Sequence, residues 1–234
     1  MLSKAFTAEA IAEAFEVLKT EIPLATWETF YVTVLATAFA IVIGLPLGVL
    51  LVAGEENGVM PLPKWLMKLL NVIINLLRSV PFLILMILVI PLTRAIVGTS
   101  VGTVASIVPL VIAAFPFIAR LVETSIREVN PNIIEMAQSI GASPIQIVTK
   151  VLIPEAVPSL ISNATTAITT ILSYTAMSGI IGGGGLGKIA INYGYYRYKY
   201  SVMVIAVVLL IVLVQIFQTI GTKIAKKSDK RLKA

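Results

Sequence analysis

The sequence predicts an all-α integral membrane protein with five transmembrane helices, and three observations carry that reading. Hydrophobic residues make up 58% of the 234 residues and charged residues 13%, where soluble domains carry about a quarter charged. The mean hydropathy is +0.97. Uncharged apolar runs recur at lengths that match the roughly 20 helical residues needed to cross a hydrocarbon core of about 30 Å, and short stretches rich in charge, proline and glycine separate them.

Residues 1–25 form an N-terminal segment in which 8–22 reads as an amphipathic helix. Ile11, Phe15, Leu18 and Ile22 fall on one stripe, with Glu9, Glu13, Glu16 and Lys19 elsewhere. Such a helix lies on the membrane surface or on its neighbours. No basic region precedes a short apolar core, so no removable signal peptide is expected. The membrane domain is expected over 26–222, with spans at about 29–54, 66–92, 95–120, 159–181 and 200–222. Glu55, Glu56, Asn57, Gly58, Pro61 and Pro63 make the loop after the first span. The second contains Arg78, which a bilayer tolerates at its edge, and the pattern predicts a helix running from there through Pro81 toward Pro91. In the third, Pro109 and Pro116 should kink or break the helix.

Span four is rich in small and hydroxyl side chains, which let membrane helices approach closely and hydrogen-bond across an interface. That makes it the candidate pathway-lining helix, and Asn163, Thr170, Ser173, Tyr174 and Met177 are the pathway candidates. Span five is more uniformly apolar and ends in a basic tail, 223–234, holding Lys223, Lys226, Lys227, Lys230, Arg231 and Lys233. With that tail, the first loop and the central polar segment on the cytoplasmic side, Lys and Arg favour that side by about two to one, so the N-terminus is expected outside.

The central segment, 130–158, interrupts the apolar pattern. Asn130-Pro131 reads as a helix start, because an Asn side chain caps free amides and Pro at the first position loses no needed donor. Gly141 suits the left-handed residue that ends a helix, Ser143-Pro144-Ile145-Gln146 restarts one with a capping box, and Pro154 marks a second stop. Two short helices bent at Gly141 are expected, with Ile133, Ala137 and Ile140 on one side of the first and Ile145, Val148 and Leu152 on one side of the second. A unit of that shape docks onto something.

Several chemistries are excluded. Without Cys or His, thiolate or imidazole metal sites and Ser-His or Cys-His nucleophiles are absent, and no acid lies within the apolar runs to build a buried carboxylate pair. The net charge of +6 is densest in the tail after the last span, as in proteins oriented by their basic residues rather than binding nucleic acid. Gly182 to Lys188 matches two phosphate-binding patterns by letter, but Ile189 stands where a P-loop needs Ser or Thr, and no strand precedes it. Tandem glycines there permit a tight re-entrant turn and close helix contact, followed by Tyr193-Gly194-Tyr195-Tyr196, whose rings suit a membrane interface.

Glu135-Met136-Ala137, Gly141 and Val151-Leu152-Ile153-Pro154 resemble the cytoplasmic loop by which membrane subunits of bacterial ABC importers grip their ATPase. That pattern is Glu-Ala-Ala, three residues, Gly, nine residues, Ile-x-Leu-Pro. Met136, Val151 and Ile153 depart from it by apolar replacements that keep Glu135, Ala137, Gly141 and Pro154 in register. From about Trp27 onward the chain is similar to the permease subunits of bacterial methionine importers, through Leu77-Arg78-Ser79-Val80-Pro81-Phe82, Ile90-Pro91-Leu92-Thr93-Arg94, Val97-Gly98-Thr99-Ser100, Pro116-Phe117-Ile118-Ala119-Arg120 and Gly184-Gly185-Leu186-Gly187 with Tyr193-Gly194-Tyr195.

The resemblance implies the type I ABC importer permease fold in a bacterial cytoplasmic membrane. It implies a homodimer, two ATPase subunits on the cytoplasmic side, and an external lipoprotein or periplasmic binding protein that delivers methionine. This chain would hold no cofactor and catalyse nothing, with ATP and magnesium bound by the ATPase. Coupling would fall to Glu135, Ala137, Ile140, Gly141, Ile145, Ile153 and Pro154, with Ala137 and Ile140 filling a groove on the partner. The alternatives are a permease for another amino acid or small polar solute, or an autonomous channel or secondary transporter that binds no ATPase.

Overall fold

The computed structural model describes residues 8–229. Its helices are α1 (Ala8–Thr20), α2 (Ile22–Ala53), α3 (Lys64–Ser79), α4 (Phe82–Leu88), α5 (Ile90–Val97), α6 (Ile107–Arg127), α7 (Pro131–Ser139), α8 (Pro144–Ile147), α9 (Ile153–Ser178), α10 (Gly185–Ile189) and α11 (Tyr200–Ser228). Single π-helical stretches at Val148–Leu152 and Ala190–Tyr196 extend α8 and α10. Among the described residues, α2, α6, α11 and the stretch Pro144–Ile181 are long and apolar enough to cross a membrane, and α3 with α4 makes a fifth when taken as one broken span.

Four of the five expected spans are single long apolar helices or stretches and the second is a broken pair bent by 107°, and prolines and glycines moved the limits. The second span does not continue through Pro81: α3 stops at Ser79 because Val80 is extended at φ −81° and ψ 127°, the conformation that a proline ring imposes on the residue before it. The third begins at Ile107, not 95, after turns over 98–106, and runs to Arg127, not 120. Neither of its prolines ends it. Pro109 falls in the first turn, where a missing N–H breaks no ladder bond, and Pro116 lies buried inside the helix. Pro154 is likewise no stop: α8 passes through the π turn into α9, and a π turn already offsets the hydrogen-bond ladder where the proline lacks its donor. The last helix continues to Ser228. Lys4 and, in the tail, Lys230, Arg231 and Lys233 lie outside the described residues.

The chain forms two compact units. One comprises the chain up to Thr37, Pro81–Val111 and Ile168–Phe217. Its core joins Ala14 and Val17 of α1, Ile22 and Ala25 of α2, Leu172 of α9, Leu186 and Ile189 of α10, Tyr193, and Val202, Ala206 and Leu213 of α11. The N-terminal helix therefore packs on its neighbours, by a stripe that keeps Leu18 and Ile22 of the one expected and takes Ala14 and Val17 in place of Phe15. Phe15 is 57% exposed, because the small Ala14 and Val17 let the helix approach closely; the side chain of Ile11 lies outside the described residues. Along α2, Thr29, Thr33 and Thr37 are buried and each hydroxyl donates to the carbonyl four residues earlier at 2.7–2.9 Å, which satisfies a polar group inside an apolar helix.

The other unit comprises Ala38–Val80, Ile112–Ala167 and the chain from Gln218. Here α2 crosses α6 in close contact. A Cβ at Gly44 would stand 2.8 Å from the Phe115 carbonyl oxygen and one at Gly48 2.5 Å from that of Ala119, so the four-residue spacing of these glycines is what brings the backbones together. Leu51, Met67, Ile74 and Ala119 form the core beside that crossing.

Candidate functional site

The central segment is assembled by local rules. The Asn130 side-chain oxygen accepts the Asn132 N–H at 3.0 Å, with Pro131 opening α7. The helix closes in a Schellman motif: Gly141 has φ 79°, its N–H donates to the Gln138 carbonyl at 3.0 Å, and the Ala142 N–H donates to the Ala137 carbonyl at 3.1 Å. A Cβ at Gly141 would meet nothing within 4 Å, so glycine stands there for its left-handed backbone alone. Ser143 then caps α8 reciprocally, its N–H donating to Gln146 Oε1 at 2.9 Å while its Oγ accepts the Gln146 N–H at 3.4 Å.

The two expected stripes separate into an inner and an outer face. Ala137, Ile147 and Leu152 are buried, while Met136, Ile140 and Ile145 are 61%, 80% and 68% exposed. Glu135 and Pro154 are exposed beside them and Ile153 is half-buried. Ala137 therefore fills no partner's groove: its small side chain lets α7 sit down on its own unit, where it packs against the π turn, and Met136 takes the outward position. Behind α7 a groove of about 580 Å³ is lined by Glu55, Asn57 and Val59 from the first loop and by Ile134, Glu135 and Gln138.

Beneath this segment lies an ion-pair network that hydropathy does not reveal. The Arg127 guanidinium donates to Glu55 at 2.6 and 3.2 Å and to Glu123 at 2.9 Å. Glu123 also accepts from Arg120 at 2.6 Å, and Arg120 donates to the side-chain oxygens of Asn71 and Asn75 at 2.7 and 2.9 Å. The network ties the first loop, α3 and α6 together three residues before Asn130. Its only sequence signal is the spacing of Arg120, Glu123 and Arg127, one helical turn apart.

The pathway candidates divide. Asn163 donates to the Leu121 carbonyl at 3.1 Å and to Ser125 Oγ at 2.8 Å, so both amide protons are committed to packing α9 on α6. Thr170, Ser173, Tyr174 and Met177 share one face of α9 in the other unit by their spacing. There Ser173 is exposed, Met177 is 43% exposed, and Tyr174 stacks on Phe82 with ring centroids 4.4 Å apart.

In that same unit the glycine-rich turn holds an anion of the chain's own. Gly185 has φ 80° and its N–H donates to Glu28 Oε2 at 2.8 Å. Glu28 Oε1 accepts from Thr103 Oγ1 at 2.8 Å, and the Leu186 N–H donates to Thr29 Oγ1 at 2.8 Å. Further along, Tyr193 donates to Glu21 Oε1 at 2.6 Å. That hydrogen bond, with burial and the Glu21 charge, raises the Tyr193 hydroxyl above its usual pKa.

Comparison with known proteins gives a consistent picture. Residues 40–227 match the family described as binding-protein-dependent transport system inner membrane component. The probable D-methionine transport system permease protein MetI of Vibrio cholerae is 47% identical over 222 residues, 94% of this chain and 98% of that protein. The protein of the same name from Pasteurella multocida is 43% identical over 208 residues, 89% of this chain and 95% of that protein. Among solved structures, a chain of the inward-facing MetNI methionine ABC transporter superposes with a TM-score of 0.89 at 43% identity, over 92% of this chain and 99% of that one.

Proposed function

The chain belongs to the binding-protein-dependent transport system inner membrane component family, and from that premise we propose that it is the permease subunit of an ATP-driven methionine importer. It is a non-catalytic membrane subunit, and a separate ATPase supplies the energy. The observation that carries the cargo is the 47% identity, across nearly the whole of both chains, to a D-methionine transport permease. The uncharged face of Thr170, Ser173, Tyr174 and Met177 suits a cargo with a thioether side chain, and we read it as the pathway surface.

The outward face of Met136, Ile140 and Ile145, flanked by Glu135, is the surface on which the ATPase docks. Nucleotide binding and hydrolysis, with magnesium, belong to two ATPase subunits on the cytoplasmic side of a permease homodimer, and an external binding protein delivers cargo to the opposite side. The excess of Lys and Arg on the loops and tail that flank the docking segment supports this orientation. Because α8 runs without a stop into α9, closure of the ATPase pair turns the fourth span directly, biasing a two-state equilibrium between outward-open and inward-open forms.

The first test is uptake of labelled L- and D-methionine at low external concentration in cells with and without this chain, with other amino acids as competitors. Loss of uptake on deletion, competed by methionine alone, is expected; competition by a different amino acid instead would reassign the cargo. Gly141→Pro, which cannot adopt φ 79°, and Glu135→Arg should each uncouple hydrolysis from uptake, and unaltered uptake in either variant would remove the docking assignment.

A further inference from the structure

We propose that Glu28 is a positioning residue for transport, a two-armed clamp that makes the first span and the far end of α9 move as one body; the inference rests on the importer reading above. Glu28 is the single charged residue in α2. A carboxylate in an otherwise apolar spanning helix is costly unless its oxygens are satisfied, and here each oxygen has a different task. One holds Thr103, in the turns before α6, and the other holds the first N–H of α10. Thr29, the next residue, takes the following N–H, and Glu21, two turns earlier, takes the Tyr193 hydroxyl. Glu28 and Thr29 of α2, with Glu21 just before it, thus grip both ends of the segment from Gly185 to Tyr193.

That segment in turn touches the end of α9 with no room to slide. A Cβ at Gly187 would collide with the backbone of Ala176, and one at Gly179 would stand 2.5 Å from the Lys188 nitrogen. A Cβ at Gly184 would collide with Thr103 and come within 2.6 Å of Glu28 Oε2. Ala176 precedes Met177 in α9, and Gly179 opens the 3₁₀ turn that follows the end of that helix. Displacement of the first span is therefore delivered to the pathway face through Glu28, Gly185 and Gly187, and nothing in that chain of contacts needs the carboxylate's charge. A glutamine has the same reach: its oxygen can accept the Gly185 N–H while its nitrogen donates to Thr103 Oγ1.

The test is the complete transporter, permease with its ATPase and binding protein, reconstituted in vesicles, with methionine carried per ATP hydrolysed as the readout. Glu28→Ala is expected to assemble and hydrolyse ATP but to carry about tenfold less methionine per ATP. Glu28→Gln is expected to stay within about twofold of the parent, a rescue that a need for charge would not give. An unchanged ratio in Glu28→Ala, or a Glu28→Gln as poor as Glu28→Ala, overturns the proposal. Should Glu28→Ala fail to assemble with the ATPase, Thr103→Val removes one arm alone and is expected to lower the ratio about threefold; a ratio equal to the parent's overturns it equally. A parent complex that hydrolyses ATP but carries no methionine sinks the cargo assignment instead. Glu28 is then read from stimulation of hydrolysis by the binding protein, which Glu28→Ala should lose and whose persistence would overturn the clamp.

Discussion

At Gly141 the space where a side chain would stand is empty, and only the left-handed backbone demands glycine; at Gly187 that space is occupied by the backbone of Ala176. The first glycine shapes the segment proposed to dock the ATPase, whose caps lie within a few residues of one another and whose outer face is exposed. The second sits in a segment held by partners more than 150 residues away in sequence, Glu28 and Thr29. One region is folded by local chemistry and presents a surface, the other by tertiary closeness and presents none. The difference predicts how each responds to damage.

The largest effect is expected at Gly187→Ala, where an overpacked contact with backbone should cost about 3 kcal/mol, read as a lowered Tm of the purified protein. Wild-type melting in that variant would break the comparison. Gly141→Ala should cost about 1–2 kcal/mol, the penalty of a left-handed L-residue, and Gly141→Asn less than Gly141→Ala, because Asn visits that region more readily. Hydrogen exchange would sharpen the contrast: amides of Pro131–Ile147 should lose protection in Gly141→Ala, while those of Gly185–Ile189 keep theirs. The smallest change in stability, within about 0.5 kcal/mol, is expected for Ile140→Ser at an 80% exposed position. The same variant should nevertheless recover less ATPase on copurification, and full recovery would show that the outward face is idle.

What the sequence made legible follows the same division. The caps at Asn130 and Ser143 and the reversal at Gly141 could be read from residues, because each depends on neighbours within four positions. The long apolar helices were legible because hydropathy counts apolar length. It says little about where a helix starts or turns, so the stop forced on Val80 by Pro81, the start at Ile107 and the passage through Pro154 escaped it. Which face is buried also escaped it, since Ala137 against Met136 and Ala14 against Phe15 were decided by how closely a neighbour approaches. The bonds from Arg127 to Glu55 and from Arg120 to Asn71 and Asn75, and the grip of Glu28, join residues far apart in sequence, and no periodicity within one helix announces such partners.

The π turn at Val148–Leu152 sets an angle. Each residue of an α-helix advances the side-chain direction by about 100°, so the one extra residue accommodated in that turn fixes the bearing of Ile145 around the axis of the fourth span. Removing Thr149 from the turn would leave the proposed docking face chemically intact and aim it elsewhere, while preserving every cap and every apolar side chain. On the docking proposed above, the permease and its ATPase are keyed like a shaft and its slot, and a segment transplanted between permeases has to bring its turn with it.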